Sequence, residues 1–325
     1  MAEDCSKLLL EHYGIKAYGW ERTRTGLLCH SDTGKRWELK KTDLTADGVR
    51  FCAEAKAYLW EHGFQSQGCF CPTTTGELSF FQDGHSYVLE DAPPAEIPAE
   101  TEEFFLSAAA FLGQFHQCGK GFQSDLAPKR EAFLPFCEKK RIELLKIQKR
   151  IRKLSTYDGL DLLVLHHTPV YLTRLEQAIE RLSSPAAQQA LSCHQTTGYL
   201  VHRAFKGDHL RLKKDGSLYL TGFFSCALGS PMEDLAALLR RFVKKTEQLR
   251  IQPQDILDAY EGVYPLSQGE RLLLSAMLSF PEKYLKLVNT FYNKRRSCVS
   301  TAMQERLLAC IQADERQQVL SYLQI

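Results

Sequence analysis

Apolar side chains at Leu8, Leu9 and Tyr13 recur at helical spacing and stop at Gly14, which predicts a short amphipathic helix over 6–13. The pattern then favours strands at 15–28 and 37–41, with Asp32-Thr33-Gly34 between them as a hairpin turn. Over 46–62 the period returns to that of a helix: Phe51, Ala55, Tyr58 and Leu59 share one face, and Gly63 closes it. Strands at 69–72 and 78–81 flank the turn-forming run 73–77. Gln82-Asp83-Gly84 then turns the chain into a strand at 85–90.

The stretch DAPPAEIPAE, 91–100, is rich in proline and acid and cannot join a regular element, so it reads as a connection between two lobes. Beyond it the periodicity is almost wholly helical, at 101–117, 133–154, 160–183, 233–250, 253–263, 267–280, 283–294 and 301–323. Only 198–203, 209–213 and 217–223 read as strands there, the last two joined by the turn Lys213-Lys214-Asp215-Gly216. The expected class is α+β. A small lobe of antiparallel sheet plus helix spans 1–91, a linker 92–100, and a large helical lobe 101–325.

Composition narrows the possible chemistry. A chain of 325 residues, 44% hydrophobic and 25% charged, is an ordinary globular one with length for two lobes. Its 41 Lys and Arg against 39 Asp and Glu leave a formal charge of +2, which gives no general attraction to nucleic acid. Eleven cysteines are too sparse and odd in number for a disulfide framework, so reduced thiols from a cytosolic compartment are expected. Cys69 and Cys71 lack a second pair at zinc-ribbon spacing, and no structural metal is expected. The N-terminus carries acids where a signal peptide needs bases. The longest apolar stretch, 104–113, is too short to span a bilayer.

Three stretches carry a resemblance: FLGQFHQCGKGF at 111–122, SPMEDL at 230–235 and FPEKYLKLVNTFYNKRR at 280–296. Together they resemble the CotS family of bacterial spore coat proteins, in its YutH-like branch. That family is similar in fold to the aminoglycoside and choline phosphotransferases, and so to the two-lobe protein kinases. The resemblance runs over nearly the whole chain, and the third stretch is the most specific.

It implies roles for particular positions. In LVHRAFKGDHLRL, 200–212, His202 corresponds to the histidine that braces a catalytic loop, and its spacing to Gly222 favours it over His194. Ala204 stands where the catalytic base belongs, His209 where an asparagine binds magnesium, and Gly222 where an aspartate does. A methyl group cannot accept a proton, and magnesium prefers oxygen to imidazole. Phe224 takes the place of a further acid. Asp234 corresponds to the acid that anchors the loop and opens a helix.

Lys40 corresponds to the strand lysine that holds nucleotide phosphates, with Glu54 as its expected ion-pair partner in a vestigial nucleotide site; alternatively, Lys40 and Lys41 are a solvated strand end. The loop that would cover phosphates, RTRTGLL at 22–28, offers Arg22 and Arg24 but only one glycine, Gly26, where several close backbone N–H groups are needed. Asp208 reads as a turn former beside Gly207 rather than a displaced ligand, and a transition-metal site from His202, Asp208 and His209 is not expected.

The resemblance therefore implies a non-catalytic, pseudokinase-like structural or scaffolding component of the spore coat, made in the mother-cell cytoplasm. Other coat proteins are its expected partners, and no cofactor or metal is implied. The helix over 139–153 has eight bases and one acid beside Ile142, Leu145, Ile147 and Ile151, and reads first as a lobe helix with its polar face in water, with contact to an anionic surface or another coat protein as the alternative. Two other readings stay open: a kinase or phosphotransferase using displaced acids, and an ATP-binding pseudokinase sensor. Carboxylates converging near His202 and His209 would favour the first. Hydrophobic filling around Phe223 and Phe224 would count against both.

Overall fold

The computed structural model describes residues 2–23, 26–245, 249–293, 300–316, 320 and 323. By its internal packing the chain divides into two units, Met1–Pro128 with Thr197–Asp234, and Lys129–Thr196 with Leu235–Ile325. This partition differs from one drawn at 92–100, because α3 and the short strands after 199 cluster with the N-terminal sheet.

In the first unit the order is α1 (Ala2–Tyr13), β1 (Ala17–Arg22), β2 (Leu27–Ser31), β3 (Arg36–Thr42), α2 (Ala46–Glu61), β4 (Phe70–Cys71), β5 (Phe80–Gln82), β6 (His85–Asp91) and α3 (Glu102–Cys118). The six strands form one antiparallel sheet in the order β1-β2-β3-β6-β4, with β5 also paired to β6. Leu9 and Tyr13 of α1 bury against Cys29, Leu39, Phe80 and Leu89, so the predicted amphipathic helix covers one face of the sheet.

The strand expected over 15–28 is instead two strands. Thr23 N–H donates to Gly26 O at 2.9 Å and reverses the chain between them. The Thr45 hydroxyl caps α2 at Gly48 N. At its other end Gly63 sits at φ +93°, with Phe64 N–H on Leu59 O and Gly63 N–H on Trp60 O, a closure that satisfies the last carbonyls. The 92–100 segment is held in place: Leu212 N–H donates to Glu96 O at 2.9 Å.

The second unit is helical: α4 (Phe133–Ile151), α5 (Gly159–Ser183) and α6 (Pro185–Thr197), followed after the first unit's return segment by most of α7 (Met232–Val243), α8 (Pro253–Glu261), α9 (Gln268–Ser279), α10 (Glu282–Asn293) and α11 (Ser300–Arg316). α6 was not expected, since 185–197 mixes Ala, Gln and Ser and shows little apolar stripe. α7 ends at Val243, short of the predicted 250. The last part of the helix expected over 301–323 lies largely outside the described residues, as do Lys294, Arg295 and Arg296 of the third family stretch.

His194 closes this unit internally. Its Nε2 is 3.1 Å from Glu270 Oε1, which also accepts from Tyr264 Oη at 2.8 Å. Burial works against the Glu270 carboxylate, but His194, Ser267 and Tyr264 hold its pKa at about 2. α4 divides its apolar stripe: Ile147 and Ile151 are buried, whereas Ile142 and Leu145 are 46% and 40% exposed among lysines.

Candidate functional site: a filled phosphotransferase-like centre

Two short ribbons carry the centre within the first unit: β7 (Leu200–Val201) paired with β10 (Ala227–Leu228), and β8 (Leu210–Leu212) paired with β9 (Leu218–Leu220). Between β7 and β8 the chain passes through a one-turn 3-10 helix, Gly207–His209, and after β9 through another, Phe223–Ser225.

Asp234 in the first turn of α7 anchors the first loop. Its carboxylate accepts the His202 N–H at 2.6 Å and the Arg203 N–H at 2.7 Å, and His116 Nε2 lies 3.3 Å away. Burial works against this carboxylate, but His116, His202 and the amide outweigh it and hold the pKa below the ordinary aspartate value. The anchor keeps Arg203 at φ +59°, a left-handed conformation that a side chain adopts only under tertiary constraint.

The His202 ring is fully buried among Phe115, Phe205 and Phe223, and its Nε2 donates to Thr221 O at 2.9 Å. Its Nδ1 has no hydrogen-bond partner among the described residues. Burial drives its pKa down to about 4, so the ring is neutral and braces the loop against the 221 segment.

Ala204 presents only a methyl group, and its carbonyl accepts from His209 Nδ1 at 2.9 Å. That bond sets the His209 ring in the space beside Gly222. A Cβ built on Gly222 would stand 2.4 Å from His209 Nδ1 and 2.6 Å from Cε1 and Cγ, and Gly222 itself is at φ +84°. The imidazole therefore occupies the room that a side chain at 222 would need. Burial lowers the His209 pKa; the Ala204 hydrogen bond opposes this, and the charges of Lys206 and Lys40 lower it further. Phe223 packs on Phe115 and His202, and Phe224 stacks on Phe70 at 6.0 Å between ring centres.

Lys40 is not a solvated strand end: it is 4% exposed. Nor does it meet Glu54. Its ammonium is 3.1 Å from Glu38 Oε2 and bonds to Glu90 Oε1, while Lys56 Nζ reaches Glu90 Oε2 at 2.9 Å. The correction is one of helix register. Lys56, Cys52 and Ala55 lie on the buried side of α2, and Glu54, two residues from Lys56, faces outward and accepts from Ser124 Oγ at 2.6 Å.

Glu38 and Glu90 are direct cross-strand partners in β3 and β6, a like-charge pair tolerable because two lysines bridge it. Burial works against charge on Glu90 and on Lys40, yet mutual attraction wins: Glu90 falls to about 2 and Lys40 is raised. Two ammonium groups and two carboxylates cancel, so Lys40 offers no uncompensated charge to a phosphate.

The turn before β2 adds to this closure. Thr23 Oγ1 donates to Glu38 Oε1 at 2.8 Å, and a Cβ at Gly26 would stand 2.4 Å from Leu39 O. Gly26 thus lets its own backbone lie directly against β3. Arg22 ends β1 and is exposed, and Arg24 lies outside the described residues. Asp208 sits in the first 3-10 turn. Among the described residues no group of three or more His, Cys, Asp or Glu could hold a metal ion, and Cys69 and Cys71 belong to none.

A magnesium nucleotide, which the phosphotransferase fold implies, does not fit these residues. Carboxylate oxygens are absent at 204, 209 and 222, and the imidazole fills the gap. Glu38, Lys56, Glu90 and His116 escaped sequence reasoning. Glu38 had one readable signal, since it shares a strand face with Lys40. The Glu90 and His116 partnerships depend on contacts far along the chain.

Comparison with known proteins places the family and the fold. Residues 6–323 match the family described as Spore coat putative kinase YutH. The chain is similar to the endospore coat-associated protein YutH of Bacillus subtilis, 28% identical over 251 residues that cover 74% of this chain and 69% of that one. It is also similar to spore coat protein S of the same organism, 24% identical over 270 residues covering 79% and 74%. In fold it resembles an aminoglycoside phosphotransferase from Alicyclobacillus acidocaldarius, with a TM-score of 0.80 over 95% of this chain and 92% of that one at 14% identity. With its phosphotransferase fold and a match along nearly its whole length, the chain belongs to the YutH family of spore coat kinase-like proteins.

Proposed function

We propose that this protein is a non-catalytic, kinase-like structural component of the bacterial spore coat. Family membership and the relatives' coat association support the setting. The observation that carries the non-catalytic part is the His209 ring standing where a side chain at Gly222 would have to be. Phosphoryl transfer rests on positioning and on metal-borne charge neutralisation, and this centre replaces both with packing.

In this reading 1–91 acts as the small lobe, 92–100 as its hinge and 101–325 as the helical lobe. His202 and Asp234 keep the loop's shape, and Lys40 has become a structural charge. Partners are other coat proteins, met through outer surfaces. The outward face of α4 is the best suited, because Ile142 and Leu145 are exposed there beside Lys139, Lys146 and Lys149. The protein is made in the mother-cell cytoplasm and has no cofactor. No helix among the described residues is long and apolar enough to cross a membrane.

A thermal-shift titration with ATP, with and without magnesium, tests the reading. A ligand at a hundredfold its Kd would stabilise the protein by about 2.7 kcal/mol, an easily read shift. The expected result is no magnesium-dependent shift, and a clear one would overturn the proposal.

A further inference from the structure

Beneath the filled centre lies a thiol pair with no part in the loop chemistry. Cys52 on the buried face of α2 and Cys226, just after the second 3-10 turn, have their sulfur atoms 3.8 Å apart across 174 residues of chain. Both are buried, at 2% and 4% exposure. The Cys226 thiol donates to Cys52 Sγ, and the Cys52 thiol in turn donates to Phe223 O at 3.3 Å. One turn along α2 from Cys52, at i+4, is Lys56, whose ammonium is fixed by Glu90 and faces the Phe70 and Phe223 rings.

We infer that Cys52 and Cys226 are a redox-active dithiol that a hydroperoxide converts to an intramolecular disulfide, tying α2 to the segment that carries Gly222 and Phe223. The roles are unequal. Cys52 is the attacking sulfur, since it receives the Cys226 hydrogen bond and lies near the Lys56 charge. These effects lower its pKa against the opposing effect of burial, whereas Cys226 is raised. Its thiolate displaces hydroxide from the peroxide to give a sulfenic acid. The Cys226 sulfur then attacks that sulfenyl sulfur, forming the S–S bond and releasing a second hydroxide. The two thiol protons go to those hydroxides, so two thiols and one hydrogen peroxide yield one disulfide and two waters. The sulfurs must close from 3.8 Å to about 2 Å for the bond to form.

The consequence is mechanical. In the reduced state α2 meets the 222–226 segment through packing and the Cys52–Phe223 hydrogen bond; oxidation makes that junction covalent and removes a long loop's freedom from the unfolded chain. The inference does not depend on the coat assignment or on the absence of phosphoryl transfer.

The test uses the full reduced chain. It is treated with hydrogen peroxide, quenched, denatured, alkylated with iodoacetamide and digested, and the cysteine peptides are identified by mass. The expected result is a single species joining the Cys52 and Cys226 peptides, two hydrogens lighter than their sum and separated again by dithiothreitol. A rise in thermal midpoint should accompany it and be absent from Cys52→Ser and Cys226→Ser. Recovery of both cysteines as alkylated thiols would overturn the inference, as would Cys52 carried on to sulfinic acid with Cys226 unchanged, or Cys52 joined to another cysteine. The wild-type peptide map needs no variant, so a serine variant that fails to fold leaves the test standing.

Discussion

Gly222→Asp restores the acid that the phosphotransferase frame calls for, and in this protein it should damage the fold before it can affect chemistry. The new Cβ would stand 2.4–2.6 Å from three atoms of the His209 ring at a φ of +84°. Holding a side chain at positive φ costs about 1–3 kcal/mol, with aspartate at the low end. Forcing the half-buried imidazole aside adds about 1–3 kcal/mol of overpacking. The sum, about 2–6 kcal/mol, is a large share of a total stability on the order of 5–15 kcal/mol. In a His209→Ala background the ring is gone, and only the backbone part of the cost should remain. The two positions should therefore couple by about 1–3 kcal/mol, so that the double variant is more stable than the sum of the single losses. Urea unfolding of the four proteins measures this cycle. An equal loss from Gly222→Asp in both backgrounds would refute the argument that His209 occupies the position's space.

Further expectations concern the buried charges and the neutral histidine. Lys40→Met leaves Glu38 and Glu90 with Lys56 as the remaining ammonium of the cluster and should cost about 3–5 kcal/mol, while Lys40→Met/Glu90→Gln restores charge balance and should recover part of the loss; unchanged urea midpoints would show that Lys40 is not a structural charge. Glu54→Ala, by contrast, removes an exposed hydrogen bond to Ser124 and should stay within about 1 kcal/mol of wild type by the same measurement. His202 has a folded pKa of about 4 against about 6.5 unfolded, so the unfolded chain binds the proton more readily. Its stabilising effect is complete above pH 6.5 and is lost as pH falls to 4, about 3 kcal/mol in all. Unfolding midpoints at pH 7 and 4.5 should show most of this loss, and His202→Gln should flatten it; Glu90 acts lower, between its ordinary value and about 2.

Much of the fold was legible because its signals are local. The helix over 46–62 was visible from its apolar face and closing glycine, and it appears as α2 with Thr45 capping and Gly63 at φ +93°. The turn at Lys213–Gly216 and the strands on either side of it were equally plain, as were the long helices α5 and α9. The helix α6 was missed because it lacks a stripe, and the β1–β2 reversal because it depends on Thr23 and Gly26 meeting β3 rather than on a glycine-rich turn.

The candidate centre divides along the same line. Residue types alone determined that 204, 209 and 222 carry no carboxylate, since that follows from reading Ala, His and Gly at loop spacing. Tertiary structure alone decided what took the space. Lys40 finds Glu90 fifty residues along because β3 and β6 are neighbours, and Glu54 turns away because burial claims the face with Lys56 and Cys52. His209 enters the room at Gly222, and Cys226 comes within 3.8 Å of Cys52, through contacts made only after the chain has folded back on itself. Caps, turns and amphipathic faces are decided by neighbours a few residues away. Charge pairing, ring placement and thiol proximity are decided by which distant segments packing brings together.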